Sequence, residues 1–234
     1  MKLAIMQPYL FPYIGYWQLI NAVDTFVIYD DVNFIKQGYI NRNNILVNNK
    51  SQRFTLELVG ASSNKLINEI NVGRNAIKVL KTIKQNYQKA PYFSDVYPLI
   101  EKILLNPEKN LAKYLTNTLI AISQYLELNT KFMISSELNK DSNLTAQNKV
   151  LNICKVLNAT TYINAIGGQE LYDREIFKIH DLELRFLETN TDIVYKQFND
   201  EFISNLSIID VLMFNSISEI KNILEKYKLV KGKK

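Results

Sequence analysis

The sequence predicts an α/β fold with a mainly parallel, Rossmann-like sheet, helices on both faces and a helical insertion. A short apolar segment, Lys2–Met6, is followed by a helical pattern after Gly15 and a second apolar segment at Thr25–Asp30. A strand, a helix and a strand within about thirty residues are typical of a right-handed βαβ unit with parallel strands. Further β-rich segments alternate with helical patterns in the second half of the chain, which favours helices on both faces.

An aromatic, proline-containing loop joins the first predicted strand to the first helix. Pro8 and Pro12 disfavour strand pairing and a helix interior between Gln7 and Tyr13. Backbone N–H groups at the helix start near Gly15 lack helical partners and can hold an anion. Ligand sites in open α/β sheets lie at the carboxyl ends of strands, so the loop is expected to line a pocket. The alternative is that its aromatic residues simply wedge the helix against the sheet.

The middle of the chain is predicted to be β-rich and then helical. The extended segments are Asn33–Gly38, Tyr39–Val47, Gln52–Val59 and Asn68–Val72, with a hairpin turn at Asn48–Lys50. From Asn75 the apolar residues recur at helical spacing, and a later helix is expected to start at Asn106-Pro107-Glu108. Residues Asn75–Leu128 are therefore predicted to form a helical insertion or lid within a single domain of residues 1–234.

The C-terminal half is predicted to alternate strands and helices. The predicted strands are Lys131–Ser135, Thr160–Ile166 and Leu182–Leu187, and the predicted helices are Leu144–Leu157, Ser207–Phe214 and Ser218–Lys226. Cys154 lies on the apolar face of its helix and is expected in the core. Ser207 and Asp210 have the spacing of a capping box, so Asp210 is expected to be a cap partner.

Composition excludes several kinds of site. The chain is 47% hydrophobic and 22% charged, as is typical of globular proteins. One cysteine excludes an internal disulfide, and with a single histidine it excludes a Cys/His zinc cluster. Lysines at the C-terminus supply much of the net charge of +5 and are expected to form a solvated end. The N-terminus does not resemble a signal peptide and no apolar run approaches a membrane span, so the protein is expected in the cytoplasm.

Asp30 and Asp31 follow the second strand and are candidate catalytic carboxylates. One of them should face the carboxyl edge of the sheet, where it can accept a proton, bind hydroxyls or hold a divalent metal. A pair of ordinary turn residues is the alternative. Arg42 is the third candidate catalytic residue, because its planar fork suits phosphate or carboxylate, and Lys36 is a second cation. The alternative is a surface ion pair, which arginine more often forms.

Gly167-Gly168-Gln169 follows a predicted strand. Glycines permit positive φ and close approach of the backbone to a ligand, but an ordinary tight turn has the same sequence. In a doubly wound sheet this turn should open on the same edge as the first loop. His180 can act as a general base, but it lacks a partnered nucleophile nearby and is more simply a turn residue.

Several motifs resemble the WbqC-like family. They are Met6–Tyr9, Phe11–Tyr16, Asp24–Val32 and Asn41–Asn43, and near the C-terminus Thr161–Asn164, Gly167–Gly168, Leu171–Tyr172 and Leu206–Asp210. The resemblance implies a role in bacterial surface-polysaccharide biosynthesis, such as O-antigen of lipopolysaccharide. Some members of this family are described as candidate glycine or acyl transferases acting on amino sugars. The substrate-binding candidates are Gln7, Tyr9, Tyr13, Gly15, Tyr16, Lys36, Asn41, Asn43, Gly167, Gly168 and Gln169.

The resulting hypothesis is a cytoplasmic transferase that attaches an aminoacyl group such as glycyl, or another acyl group, to a nucleotide- or lipid-linked amino sugar. In it Asp30 or Asp31 takes a proton from the sugar amine, while Arg42 and Lys36 hold phosphate or the carbonyl of the donor. A nucleic acid is an expected partner only if the donor is an aminoacyl-tRNA. The sequence predicts no metal site and identifies no cofactor.

Two alternatives remain open. One is an ATP-dependent ligase or nucleotidyltransferase, because Tyr13–Tyr16 resembles in placement the His-Ile-Gly-His signature of nucleotidylyltransferases. Tyrosine replaces both histidines and supplies no positive charge near neutral pH, which weakens the case for ATP activation. The other alternative is a non-catalytic scaffold in a polysaccharide assembly, which would present a broad exposed apolar patch instead of a pocket.

Overall fold

The computed structural model describes residues 1–232. The fold is organised around a six-stranded sheet. The sheet strands are β1 (Lys2–Met6), β2 (Thr25–Ile28), β7 (Lys131–Ile134), β8 (Thr161–Ala165), β9 (Glu183–Thr189) and β10 (Tyr227–Val230). Two small antiparallel pairs join β3 (Arg42–Val47) to β4 (Lys50–Thr55) and β5 (Leu58–Val59) to β6 (Asn71–Val72). The helices are α1 (Ile14–Asn21), α2 (Ala76–Tyr87), α3 (Phe93–Leu104), α4 (Leu111–Tyr125), α5 (Ala146–Val156), α6 (Arg174–Ile179), α7 (Ile208–Phe214) and α8 (Ile217–Leu224).

The strand order of the large sheet is β10-β9-β8-β1-β2-β7, and only β10 is antiparallel to its neighbour. From β1 the chain adds β2 and β7 on one side, then crosses back to add β8 and β9 on the other. The strand order therefore reverses between β1 and β8, as in Rossmann-type sheets. This topology confirms the predicted α/β, Rossmann-like fold.

Both faces of the sheet are buried. On β1 and β2, Ala4 and Phe26 contact the core that contains Trp17 of α1, whereas Leu3 and Val27 contact the core on the other face. Successive strand residues point to opposite faces, so a strand buried on both sides becomes a continuous apolar run. Cys154 lies in the second core, as predicted, and burial raises the pKa of its thiol to about 12.

The secondary structure of the β3–β4 hairpin and of the helical region agrees in outline with the prediction from the sequence. Asn48 and Asn49 both have positive φ, 48° and 58°, as a two-residue hairpin turn requires. The expectation that a helix starts at Asn106 was wrong, because α4 starts at Leu111 and is capped by Asn110. The Asn106 side chain accepts from the N–H of Glu108 instead, in a turn ahead of the helix. Residues 33–38, predicted as extended, contain no strand but one isolated bridge at Asn33.

Asp210 is not the cap partner that its spacing from Ser207 predicts. Ser207 does cap α7, but the buried carboxylate of Asp210 accepts hydrogen bonds from three side chains of other segments. The donors are Tyr87 Oη at 2.7 Å, Tyr195 Oη at 2.6 Å and Gln197 Nε2 at 2.7 Å. These tertiary contacts replace the local one and join α7 to α2 and to the segment after β9.

Within residues 1–232, no helix combines the length and the apolar character needed to cross a bilayer.

Asp210→Ala should destabilise the protein by about 2–4 kcal/mol, because it leaves two phenols and an amide without their buried acceptor. Urea unfolding measures this change. Asp200→Ala is the matched control, since the Asp200 side chain is 99% exposed, and should alter the free energy of unfolding by less than about 0.5 kcal/mol. Equal effects of the two substitutions would contradict the buried network.

Burial raises the pKa of Asp210 above its ordinary value, and the hydrogen bonds from Tyr195, Tyr87 and Gln197 only partly oppose this. A carboxyl whose pKa is higher in the folded state stabilises the fold when protonated and loses that contribution as pH rises through the folded pKa. The stability of the wild type relative to Asp210→Asn should therefore fall as pH rises above about 4. Urea unfolding of both proteins across pH tests this, and a difference that stays constant or grows with pH would refute it.

Candidate functional site

The loop between β1 and α1 is held in place by hydrogen bonds to its main-chain carbonyl groups. Phe11 has a φ of 45°, which is rare for a bulky side chain and costs on the order of 1–3 kcal/mol. Its carbonyl accepts hydrogen bonds of 2.8 Å from Asn43 Nδ2 and from Ser207 Oγ. We call this arrangement the Phe11 clamp. It holds the strained residue from two elements that are distant in sequence, β3 and the start of α7.

Neighbouring contacts complete the loop. The carbonyl of Pro12 accepts from Trp17 Nε1 at 3.0 Å and from the N–H of Ile208 at 3.0 Å. Tyr16 Oη donates to the carbonyl of Gln7 at 2.8 Å. A Cβ atom on Gly15 would lie 2.6 Å from Thr189 Oγ1, so only glycine lets α1 approach the end of β9 this closely.

An aromatic cavity of about 400 Å³ opens beside this loop. Its lining residues are Tyr9, Pro12, Tyr13, Tyr39, Asn43 and Asn205. The ring centroids of Tyr9 and Tyr39 are 6.3 Å apart, and Tyr9 also packs on Tyr16 at 5.5 Å. The cavity combines flat apolar ring faces with phenol and amide groups, which suits a ligand that has both C–H faces and hydroxyls.

A second cavity of about 330 Å³ adjoins the first and shares Tyr13 and Asn205 with it. It lies where α1 begins and β9 ends, and contains the polar residues Thr189, Asn190, Thr191 and Ser204 with the apolar residues Ile14, Ile193 and Phe202. Burial raises the pKa of Tyr13, the Thr189 hydroxyl opposes this shift and Tyr39 adds to it. Tyr13 is therefore a neutral phenol at physiological pH, able to donate a hydrogen bond at the junction of the two cavities.

Comparison with known proteins identifies the family. The family model described as the WbqC-like protein family matches residues 7–222, which include the clamp and every residue that lines the two cavities. The chain belongs to this family. The curated "Uncharacterized protein Rv1507c" of Mycobacterium tuberculosis (strain ATCC 25618 / H37Rv) is 27% identical over 227 residues, covering 95% of this chain and 97% of that protein. No solved structure matches the chain.

In this WbqC-like protein the two candidate carboxylates lie outside both cavities. Asp30 is buried, and its oxygens accept from Ser136 N at 2.9 Å, Ser136 Oγ at 2.6 Å and Asn68 Nδ2 at 3.2 Å. This carboxylate joins the end of β2 to the segment after β7. The geometry favours a positioning role, and the predicted catalytic role remains a prediction.

Asp31 forms a half-buried charge cluster with two lysines. Lys140 Nζ lies 2.8 Å and Lys149 Nζ 3.0 Å from Asp31 Oδ2, and Lys149 also donates to the Asp31 carbonyl at 2.7 Å. Burial tends to raise the pKa of the Asp31 carboxyl, but Lys140, the Ser135 hydroxyl and Lys149 together outweigh burial and hold it below its ordinary value. Asp31 is therefore ionised near neutral pH and engaged by two cations that spacing in the sequence does not reveal.

The side chains of the Asn41–Asn43 motif donate hydrogen bonds to main-chain carbonyl groups. Arg42 Nη2 donates to the Lys36 carbonyl at 2.7 Å, while the Lys36 side chain is exposed. Asn41 Nδ2 donates to the Leu56 carbonyl at 2.8 Å. Of this motif only Asn43 lines one of the two cavities. The catalytic role of Arg42 and the substrate-binding role of Lys36 stay predictions.

Gly167 and Gly168 follow β8 in a short 3-10 helix, Ile166–Leu171, on the same sheet edge as the first loop. The topology confirms the prediction that this turn and the first loop lie at the same edge of the sheet. Neither glycine has positive φ, and neither they nor Gln169 line the two cavities.

His180 is exposed at the end of α6, which leads into β9 from the opposite edge of the sheet.

Sequence reasoning missed most residues of the second cavity and part of the first, among them Tyr39, Thr189 and Asn205. Tyr39 lies two residues before the recognised Asn41–Asn43 motif, and this proximity was the one available signal. Thr189 and Asn205 lie at the two ends of a segment without regular structure, and only the fold brings them to the first loop.

Among the described residues, no group of three His, Cys, Asp or Glu side chains is arranged to hold a metal ion.

Asn43→Ala should destabilise the protein by about 2 kcal/mol, because it removes the donor that holds the Phe11 and Leu10 carbonyls. Thermal and urea unfolding measure the loss. The neighbouring Asn44→Ala is the control, since the Asn44 side chain makes no hydrogen bond to residues 1–232, and should cost less than about 0.5 kcal/mol. A larger loss for Asn44→Ala than for Asn43→Ala would refute the clamp.

Proposed function

We propose that this protein is a cytoplasmic transferase that attaches an aminoacyl group such as glycyl, or another acyl group, to an amino sugar during bacterial surface-polysaccharide biosynthesis. The observation that carries the proposal is the pair of adjoining cavities that meet at Tyr13 and Asn205. A transfer reaction needs two substrates whose reacting atoms come together, and two cavities with a shared wall provide that geometry. Membership of the WbqC-like family is consistent with this reading.

The aromatic cavity is the proposed acceptor site. Tyr9 and Tyr39 present ring faces against which the C–H face of a sugar can pack, and Asn205 presents an amide to its hydroxyls. Asn43 is buried and its amide is engaged in the Phe11 clamp, so it contributes to the wall of the cavity. The cavity volume of about 400 Å³ lies within the range of small-ligand sites. The amine of the sugar is then directed towards Tyr13.

The second cavity is the proposed donor site. Ile193 and Phe202 accommodate apolar parts of an acyl donor, while the hydroxyls of Thr189 and Thr191 bind its polar atoms. The sugar nitrogen attacks the carbonyl carbon, a C–N bond forms, and the bond from that carbon to the leaving group breaks. The amine proton goes to the leaving group, directly or through water. The Tyr13 phenol donates a hydrogen bond to the carbonyl oxygen as negative charge develops there.

In this proposal Asp30 and Asp31 are supporting residues. Their carboxylates are bound by Ser136 and by two lysines, respectively, and neither lines the cavities. No cofactor is needed if the acyl donor arrives already activated, as a thioester or an ester. The ATP-dependent ligase differs in that it would have to activate a free carboxylate.

Tyr13→Phe should lower kcat by about 10²-fold and leave the KM for the sugar within about twofold, because the lost hydrogen bond acts in the transition state. The assay uses mass spectrometry to detect acylated nucleotide-linked amino sugar, with acyl-CoA or an aminoacyl ester as donor. Tyr97→Phe, on α3 and outside both cavities, is the control and should keep full activity.

Full activity of Tyr13→Phe would contradict the proposal. So would loss of activity in Asp31→Asn combined with an active Tyr13→Phe variant, because that result moves the chemistry to the Asp31 cluster. Turnover that requires ATP would favour the ligase instead.

A further inference from the structure

Exposed basic residues are grouped on α2 and its flanks. Between Glu69 and Asp95 the chain has five basic residues and no acidic residue. All five basic side chains are exposed, and none forms an ion pair with a described residue. They are Arg74, Lys78, Lys81, Lys84 and Lys89, on α2 and its flanks. The Glu57 carboxylate accepts from the N–H of Arg74, and Lys84 Nζ lies 5.6 Å from the centre of the Tyr97 ring. The five side-chain charges are nevertheless not neutralised by ion pairs, which favours a polyanionic ligand.

A cavity of about 350 Å³ borders the C-terminal half of α2, between this helix and the turn of the β3–β4 hairpin. No carboxylate lines it, and most of its lining side chains are amides. Of these amides only Asn86 makes a side-chain hydrogen bond to residues 1–232, which leaves the others free to bind a ligand. The amides are Asn48, Asn49, Gln85, Asn86, Gln88 and Asn199.

One aromatic ring completes this surface. Phe198 lines the cavity and is 38% exposed. Its ring packs edge-to-face on Phe214 at 4.8 Å and lies 6.4 Å from Tyr87, so the ring is held from inside while part of it faces solvent. A fixed, partly exposed ring beside amides and cations is suited to stacking on a nucleic-acid base.

We propose that this surface, which we call the α2–hairpin face, binds an RNA segment that contains an unpaired nucleotide. The α2 cations contact phosphates, the free amides bond to a base edge and to ribose 2′-hydroxyls, and Phe198 stacks on the base. This inference does not depend on the transferase proposal, since the α2–hairpin face shares no lining residue with the two cavities of the candidate site.

An anionic membrane is the competing occupant, and the surface fits it less well. A helix that lies in a bilayer interface buries an apolar face beneath its basic flanks. Ile77 is the single strongly exposed apolar side chain among the described residues of α2, at 58% exposure. The concave, amide-lined cavity also has no role against a flat lipid surface.

Fluorescence anisotropy with the full chain and a labelled uridine oligonucleotide of about twelve nucleotides tests the proposal. The triple variant Lys78→Gln, Lys81→Gln, Lys84→Gln should bind about tenfold or more weakly near 0.1 M salt. The slope of log K against log salt should become shallower by about 2, as expected when three phosphate contacts to a single strand are lost. The matched control is Lys226→Gln, Lys228→Gln, Lys231→Gln, which removes the same charge from exposed C-terminal positions and should change affinity less than about twofold.

Phe198→Leu separates stacking from charge. It should weaken binding by about fivefold or more and leave the salt slope unchanged. Circular dichroism confirms that each variant is folded. Four results would overturn the proposal: no binding by the wild type, equal losses in the two lysine triples, unaltered affinity of Phe198→Leu, or binding of phosphatidylglycerol vesicles in place of RNA.

Discussion

The candidate site depends on the carbonyl group of Phe11. This single acceptor receives hydrogen bonds from Asn43 and Ser207, and so joins the first loop to the β3–β4 hairpin and to α7. Two buried hydrogen bonds of about 1 kcal/mol each offset backbone strain of similar size. Because the loop is held from both sides, Tyr9 and Tyr13 are fixed before any ligand arrives, which reduces the ordering cost of binding.

The buried carboxylate of Asp210 likewise joins segments that are distant in sequence. Through Tyr195 and Gln197 it holds the irregular segment after β9, and through Tyr87 it holds α2 and the N–H of Leu46 in β3. That segment supplies Asn205 to the two cavities and Phe198 to the α2–hairpin face. The same buried network therefore positions the walls of both proposed binding surfaces.

The sequence predicts local structure well and long-range pairing poorly. Apolar runs locate five of the six strands of the large sheet, and the paired asparagines at positions 48 and 49 locate the hairpin turn, because these signals depend on neighbouring residues. The sixth strand, β10, lies in the lysine-rich tail that was expected to be solvated, and it forms only by pairing with β9. Tyr9, Tyr13 and Asn43 were predicted to bind substrate, and they line the aromatic cavity. The lysines that hold Asp31 lie more than a hundred residues away, so no spacing rule predicts them. Asp210 shows the converse case, since a correct local spacing is overridden by tertiary hydrogen bonds.

Chemical-shift mapping of the labelled protein with a nucleotide-linked amino sugar tests most directly whether the clamped loop forms the substrate site. The account predicts the largest changes at the amides of Tyr9, Tyr13, Tyr39, Asn43 and Asn205, which line the aromatic cavity. Changes grouped around Asp31, Lys140 and Lys149, with an unaltered first loop, would contradict it and place the ligand on the other face of the sheet.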